Sequence, residues 1–389
     1  MNIKQTDNRF IAHTYGRFDL ALVKGKGSLV WDENGNEYID LATGIAVNTF
    51  GYADDAWAQA VANQASTLQH TSNLYYSEPC AKLAQMLCER TGMKKVFFSN
   101  SGAEANECAI KVARKYACEK KGKEYNTIVT LINSFHGRTL TTLAATGQEV
   151  FHKDFTPLTP GFVSVPANDL EAVEEAFKTE KPAGILMEIV QGEGGVLPLE
   201  ESFVKGVAKL CEEYDVVLMC DEVQCGNGRS GELYAYMNYA IQPDVVSTAK
   251  GLAGGLPLGA TMLGEKVQDV LTPGSHGSTF GGNPVCAAAA VSVLERIDEA
   301  LLKEVKEKST LIFDTLNGQP GIISVDGMGL MIGIKTERDA SEVIKDCMAN
   351  GVLPIKAKDK VRLLPALNIP TEQLKKALEV LKKAAVKEN

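Results

Sequence analysis

Two runs decide the fold of this chain: Val216-Val-Leu-Met-Cys-Asp221-Glu-Val-Gln224 and Asp244-Val-Val-Ser-Thr-Ala-Lys250-Gly251. Each contains a short, β-branched apolar stretch that reads as a strand, and each hands over to a charged residue, Asp221 in the first and Lys250 in the second. In an open parallel α/β sheet those strand ends line the ligand crevice. The two runs therefore predict a carboxylate and an amine facing one cavity from neighbouring strands. A lone lysine after a strand is usually a surface residue. Lys250, however, leads into Gly251-Leu-Ala-Gly254-Gly255-Leu-Pro257-Leu-Gly259, a segment suited to close backbone approach, where a buried amine needs neutralisation or covalent engagement.

Outward from these runs, apolar strands alternate with amphipathic helices between about residues 94 and 264. The strand candidates are Val96 to Ser99, Thr127 to Ile132, Phe162 to Val165, Gly184 to Val190, Val216 to Asp221, Val245 to Ser247 and Ala260 to Leu263. Helices are expected over Ala103 to Lys120, Asp169 to Lys178, Glu201 to Tyr214 and Pro284 to Ala300, the last with Asn283 as N-cap. Seven strands between helices predict an α/β fold with a mostly parallel seven-stranded sheet covered on both faces. The Asn34-Gly35 pair marks a hairpin near the start, and the chain beyond residue 300 reads as a smaller α+β unit that packs with the N-terminal hairpins. This divides the chain into an N-terminal segment 1–55 of the small domain, a large ligand-binding domain 56–285, and a C-terminal part of the small domain, 286–389.

Composition narrows the classes of function. With 389 residues, 45% hydrophobic and 23% charged, the chain can build a large core and a second domain. A formal charge of -9 excludes nucleic acid and anionic membrane as main partners, since both call for a basic face. No apolar stretch reaches membrane-span length and the first residues lack a signal-peptide core, so a cytoplasmic protein is expected. Nine cysteines without a Cys-x-x-Cys pair fit reduced thiols and no zinc site.

Further segments carry chemistry at strand ends. Phe97-Phe98-Ser99-Asn100-Ser101-Gly102-Ala103-Glu104 runs from a strand through a small polar turn into a long helix, where exposed N–H groups and the helix dipole suit a phosphate. Phe135-His136-Gly137-Arg138 offers an aromatic to stack on a flat ring and a guanidinium to clasp a carboxylate. Glu188-Ile-Val-Gln191-Gly192-Glu193 places two acids on a glycine-rich turn, and Glu193 would suit an arginine partner. Gly277-Ser278-Thr279-Phe280-Gly281-Gly282-Asn283-Pro284 joins a polar loop to a capped helix, with a hydroxyl able to reach a phosphate across a subunit boundary. Taken singly, each has an ordinary reading as a turn, a core aromatic or a solvent-facing charge. Taken with Lys250 and Asp221 they fit pyridoxal phosphate, which needs a lysine for covalent attachment and an acid beside its ring nitrogen.

In this order the motifs resemble those of the class III, ornithine-type aminotransferases, which are fold type I pyridoxal phosphate enzymes, and the resemblance runs from Tyr15-Gly16-Arg17 to Arg362-Leu-Leu-Pro365. It implies that Lys250 binds the cofactor and shuttles the proton, that Asp221 pairs with the ring nitrogen, and that Gln224 bonds the ring hydroxyl. Ser101, Gly102 and Ala103 would cradle the phosphate, with Thr279 reaching the phosphate of a partner subunit, so a homodimer with shared sites is implied. Phe135 and Val223 would flank the ring. Arg138, Glu193, Arg362, Ser278 and Asn73 would serve the substrates: Arg362 takes a carboxylate of 2-oxoglutarate, and Glu193 covers Arg362 when the amino donor is bound. His70-Thr-Ser-Asn73-Leu-Tyr75-Tyr76 is more similar to members acting on N-acetylornithine than to those acting on ornithine or 4-aminobutyrate.

The chain departs from the family pattern at Ile189, at Gly51-Tyr52-Ala53-Asp54 and at Ala366, which bears on loop shape and donor preference. The expectation is transamination of N-acetylornithine with 2-oxoglutarate. Ornithine, succinylornithine and 4-aminobutyrate stand as other donors, an aminomutase as a more distant reading, and a non-catalytic pyridoxal phosphate-binding regulator as a reading of another class.

Overall fold

The computed structural model describes residues 2–386. Its central sheet has seven strands in the order Lys95–Ser99, Gly259–Leu263, Val245–Thr248, Val217–Asp221, Pro182–Met187, Thr127–Leu131, Phe162–Val165. Only Gly259–Leu263 runs against the rest, pairing antiparallel with both neighbours. Every residue of Pro182–Met187, Val217–Asp221 and Gly259–Leu263 is buried, as expected for strands covered on both faces.

The long helix Gly102–Lys120 follows the edge strand Lys95–Ser99 and packs beneath the sheet, which the chain rejoins at Thr127–Leu131. Its buried face includes Ala105, Asn106, Ala109, Ala113 and Tyr116. The small residues let the helix lie close to the strands. Ser101 caps it, accepting a hydrogen bond from the Glu104 amide at 3.2 Å. The C-terminal ends of the parallel strands thus converge with this helix N-terminus at one end of the sheet.

Two four-stranded sheets lie outside this core. In one, Leu22–Lys26, Leu29–Asp32 and Glu37–Asp40 form a meander completed by Val352–Leu353, so the two ends of the chain share a sheet. The expected hairpin is there, with Gly35 at φ 84° and the Asp32 carboxylate accepting the Asn34 and Asn36 amides. The other sheet orders Ile322–Met328, Met331–Thr336, Lys360–Leu363 and Ile355–Ala357.

Two expected elements break where single elements were read. The strand expected over Gly184 to Val190 ends at Met187, and Val190–Gln191 pairs with Leu197–Pro198 as a separate ribbon. The helix expected over Pro284 to Ala300 ends at Leu294, and Asp298 caps a new helix, Glu299–Leu316, by accepting the Leu301 amide at 2.8 Å. A side chain that satisfies an orphan amide starts a second helix more favourably than the first continues.

Candidate active site

At the converging strand ends lies a cavity of about 440 Å³, within the range usual for small-molecule sites. Its walls bring together Ser101, Gly102, Ala103, Phe135, Arg138, Asp221, Val223, Gln224 and Lys250, which come from four separate stretches of the chain.

Asp221 ends its strand buried. Its Oδ2 accepts from Asn106 Nδ2 at 2.7 Å and pairs with His136 Nδ1 at 2.8 Å, while its Oδ1 accepts the Val223 amide at 3.0 Å. Asn106 is itself fixed, donating to the His136 carbonyl and accepting from Ser247 Oγ on the adjacent strand. The carboxylate is therefore locked in one orientation from three sides. Its sequence neighbour Glu222 goes elsewhere, its oxygens accepting the Ala235 and Tyr236 amides, and burial pushes its carboxyl up to about 7.

Lys250 follows the strand next to that of Asp221. Desolvation draws its amine below the ordinary lysine value, while Asp221, Glu193 and Glu188 act against that shift and Arg362 adds to it. Glu188, at the break in its strand, accepts the Phe135 amide at 2.8 Å and the Gly192 amide at 3.1 Å. It ties the two loops that flank the cavity. Burial raises its carboxyl above the usual range.

At the helix N-terminus the backbone of Gly102 and Ala103 is open to the cavity, and position 102 has no room for a side chain. A Cβ there would stand 2.6 Å from Val223 Cγ1. The Ser101 hydroxyl is engaged with Glu104, bonding both its amide and its carboxylate. Phe135 packs edge-on against Phe151 at 5.7 Å, and the exposed Arg138 guanidinium lies over Phe151 at 4.2 Å and Phe135 at 5.6 Å.

Beside the cavity, Arg362 is 2% exposed on the strand Lys360–Leu363. Its Nη1 donates to Glu193 Oε1 at 2.7 Å and to Gln224 Oε1 at 2.9 Å. Burial alone would raise the Glu193 carboxyl, but Arg362 and Lys250 bring it below the ordinary range.

The structure does not bring Thr279, Ser278 and Asn73 to this cavity. They line a second one of about 660 Å³, with Thr279 exposed. The two are linked, since Asn100 Nδ2 donates to Ser278 Oγ at 3.2 Å and Asn73 Nδ2 donates to the carbonyls of Ser278 and Gly281. The sequence motifs assign no role to Asn106, His136 and Glu188. An asparagine on the sheet-facing side of a helix was the signal available for the first of them.

A cradle of backbone amides without a side chain, an aromatic and a valine on the walls, an oriented carboxylate and a desolvated lysine amine fit pyridoxal phosphate. A family model described as Aminotransferase class-III matches residues 10–385. The chain is 49% identical over 381 residues to an acetylornithine aminotransferase of Haemophilus ducreyi, covering 97% of each protein. It is 43% identical to a succinylornithine transaminase of Citrobacter koseri, covering 92% of this chain and 90% of that protein. The crystal structure of the ornithine aminotransferase from Toxoplasma gondii superposes with a TM-score of 0.94 at 32% identity, over 98% of this chain and 94% of that one. Fold, cavity and sequence agree, and the chain belongs to the class III aminotransferases, enzymes that depend on pyridoxal phosphate.

Proposed function

We propose that the chain transfers the δ-amino group of N-acetylornithine to 2-oxoglutarate, yielding N-acetylglutamate 5-semialdehyde and glutamate. The observation that carries this reading is the pair of the buried Arg362 and the partly exposed Glu193, held against Gln224 beside Lys250. An arginine with a displaceable carboxylate partner lets one pocket take two unlike substrates. When 2-oxoglutarate enters, its carboxylate replaces Glu193 on Arg362. When the donor enters with its side-chain amine leading, Glu193 returns and keeps the arginine's charge covered. The relatives named acetylornithine aminotransferase support the acetylated donor.

Pyridoxal phosphate, when bound, supplies an electron sink for the pair left on the amine-bearing carbon as its proton departs. Lys250 would hold the cofactor and, once released from it, take up that proton at Nζ, where desolvation disfavours a charge on the free amine. Asp221, oriented by Asn106, His136 and the Val223 amide, holds the ring nitrogen's proton. Gly102 and Ala103 receive the phosphate, with Ser101 shaping the turn. Phe135 and Val223, both on the cavity wall, would flank the ring, and Gln224 would bond its hydroxyl. Arg138 binds the donor's carboxylate at the mouth, whereas Ser278 and Asn73, which line the neighbouring cavity, would serve a substrate in a partner copy's site.

A homodimer completes the site in this reading. Thr279 lies away from its own chain's cavity; Tyr75 and Tyr76 line the second cavity with it and are exposed, as are Leu74 and Phe280, their neighbours in sequence. The partners are then small molecules and a second copy, without nucleic acid or membrane, and nine unpaired cysteines support a reducing, cytoplasmic setting. Among the described residues no helix is long and apolar enough to cross a membrane. A second reading, succinylornithine as donor, is favoured by the relative from Citrobacter koseri. A panel of half-reactions with N-acetylornithine, succinylornithine, ornithine and 4-aminobutyrate, followed by cofactor absorbance, separates them. A clear preference for either of the last two donors would sink the proposal.

A further inference from the structure

Lys250 occupies an unusual backbone conformation. Its φ is 43°, in the left-handed region that residues with a Cβ rarely adopt, and it opens the short turn Lys250–Ala253. The carbonyls of its two neighbouring residues are held by side chains from distant parts of the chain. Asn227 Nδ2 donates to the Ala249 carbonyl at 3.1 Å and to Thr248 Oγ1 at 3.0 Å. Thr49 Oγ1 donates to the Gly251 carbonyl at 2.7 Å.

Both residues are buried, at 2% exposure for Thr49 and 4% for Asn227, and neither lines the cavity that Lys250 lines. The three parts pack tightly. A Cβ at position 251 would stand 2.8 Å from Thr49 Oγ1 and 3.4 Å from Asn227 Cβ, so glycine is required there. Thr49 also accepts the Leu367 amide at 2.9 Å, which joins the Lys250 turn to the segment that follows Arg362.

We propose that Thr49 and Asn227 are positioning residues for Lys250: two buried donors that pin the carbonyls flanking it, hold its left-handed backbone, and so aim its amine into the cavity. The physical reason is leverage. A change of φ and ψ at Lys250 swings the Cα–Cβ bond, and the four-carbon stem carries that rotation out to Nζ, whose distance from a fixed reacting atom sets the rate. Backbone in a sparsely populated region persists only where the surroundings over-determine it, and here these two side-chain hydrogen bonds add to the turn's own bond from the Leu252 amide to the Ala249 carbonyl at 2.9 Å.

The proposal rests on the reading of Lys250 as the residue that binds the cofactor, so the experiment includes Lys250→Ala as a reference. Thr49→Val keeps the shape and removes the donor, Thr49→Ser keeps the hydroxyl, and Asn227→Ser shortens the other arm. Two quantities are read: kcat and KM of the holoenzyme for both substrates, and the rate at which cofactor-free protein captures added pyridoxal phosphate, followed by absorbance. Thr49→Val is expected to lower kcat and the capture rate by roughly tenfold or more, with both KM values within about threefold, and Thr49→Ser to restore both rates to within about threefold. The proposal is overturned if Thr49→Val leaves both rates within about twofold, or if Thr49→Ser loses as much as Thr49→Val. Should Thr49→Val fail to fold by circular dichroism, Asn227→Ser is read in its place, with a tenfold loss supporting the clamp and an unchanged capture rate overturning it. Retained turnover in Lys250→Ala would instead refute the role of Lys250 itself.

Discussion

Glu193→Gln removes one charge from the Arg362 pair while keeping the side chain's length and a hydrogen-bonding oxygen. At the 2.7 Å separation the attraction is about 6 kcal/mol at an effective dielectric constant of about 20, and about 1.5 kcal/mol in bulk water. The Arg362 side chain is 2% exposed and that of Glu193 30%, so the pair lies between those limits. An incoming carboxylate recovers most of what it displaces. Taking about 2 kcal/mol as the residual competition, 2-oxoglutarate should bind the Gln variant roughly thirtyfold more tightly. The donor half-reaction should move the other way. With no acid to cover it, Arg362 attracts the donor's own carboxylate and holds the amine away from Lys250, so kcat/KM for N-acetylornithine should fall by roughly tenfold or more. Single-turnover half-reactions, each substrate titrated alone and followed by cofactor absorbance, measure the two effects separately. Equal changes in both half-reactions, or an affinity for 2-oxoglutarate within about twofold of the parent, would refute the exchange.

Three further outcomes follow from the same geometry. Lys250→Ala should lose the absorbance of lysine-bound cofactor and at least about a hundredfold in turnover, checked by spectra and steady-state rates. Gly102→Ala places a Cβ 2.6 Å from Val223 and should cost about 1–3 kcal/mol of overpacking, seen as lower cofactor affinity by fluorescence titration. In cofactor-free protein the Lys250 amine should titrate below the ordinary lysine value of 10.5, because desolvation disfavours its charged form; Asp221→Asn, which removes a charge that raises it, should move the midpoint lower still, and Arg362→Met should move it up, as read by pH-dependent acetylation of Lys250. The sign extends to stability: the unfolded chain binds the lysine proton more strongly, so this group's contribution to the stability of cofactor-free protein rises as pH climbs from the lowered folded value through 10.5.

The strand ends at Asp221 and Lys250 were legible because apolar, β-branched runs announce buried strands and a charged residue after one must face a polar space. The helix start at Ser101-Gly102 was legible for a similar local reason, a capping hydroxyl followed by small residues. Less legible were the two breaks, at Glu188 and at Asp298. Each arises where one side chain captures backbone amides, and local pattern alone continues the element past it. The donor set around Asp221 was not legible at all. Asn106 and His136 look like ordinary helix and loop residues until the helix is laid under the sheet.

By itself, the sequence determined the alternation of strands and helices, the carboxylate and amine at adjacent strand ends, and the phosphate-type turn, since these follow from neighbours within a few residues of one another. Tertiary structure alone decided that Glu222 turns to the Ala235 and Tyr236 amides, that Gln224 joins the direct Glu193–Arg362 pair, that Thr279 stands apart from its own chain's cavity, and that Thr49 and Asn227 grip the turn at Lys250. Contacts of that kind depend on how far-separated segments pack and in what register, and only the folded chain, with its dense interior and its demand that buried polar groups find partners, fixes them.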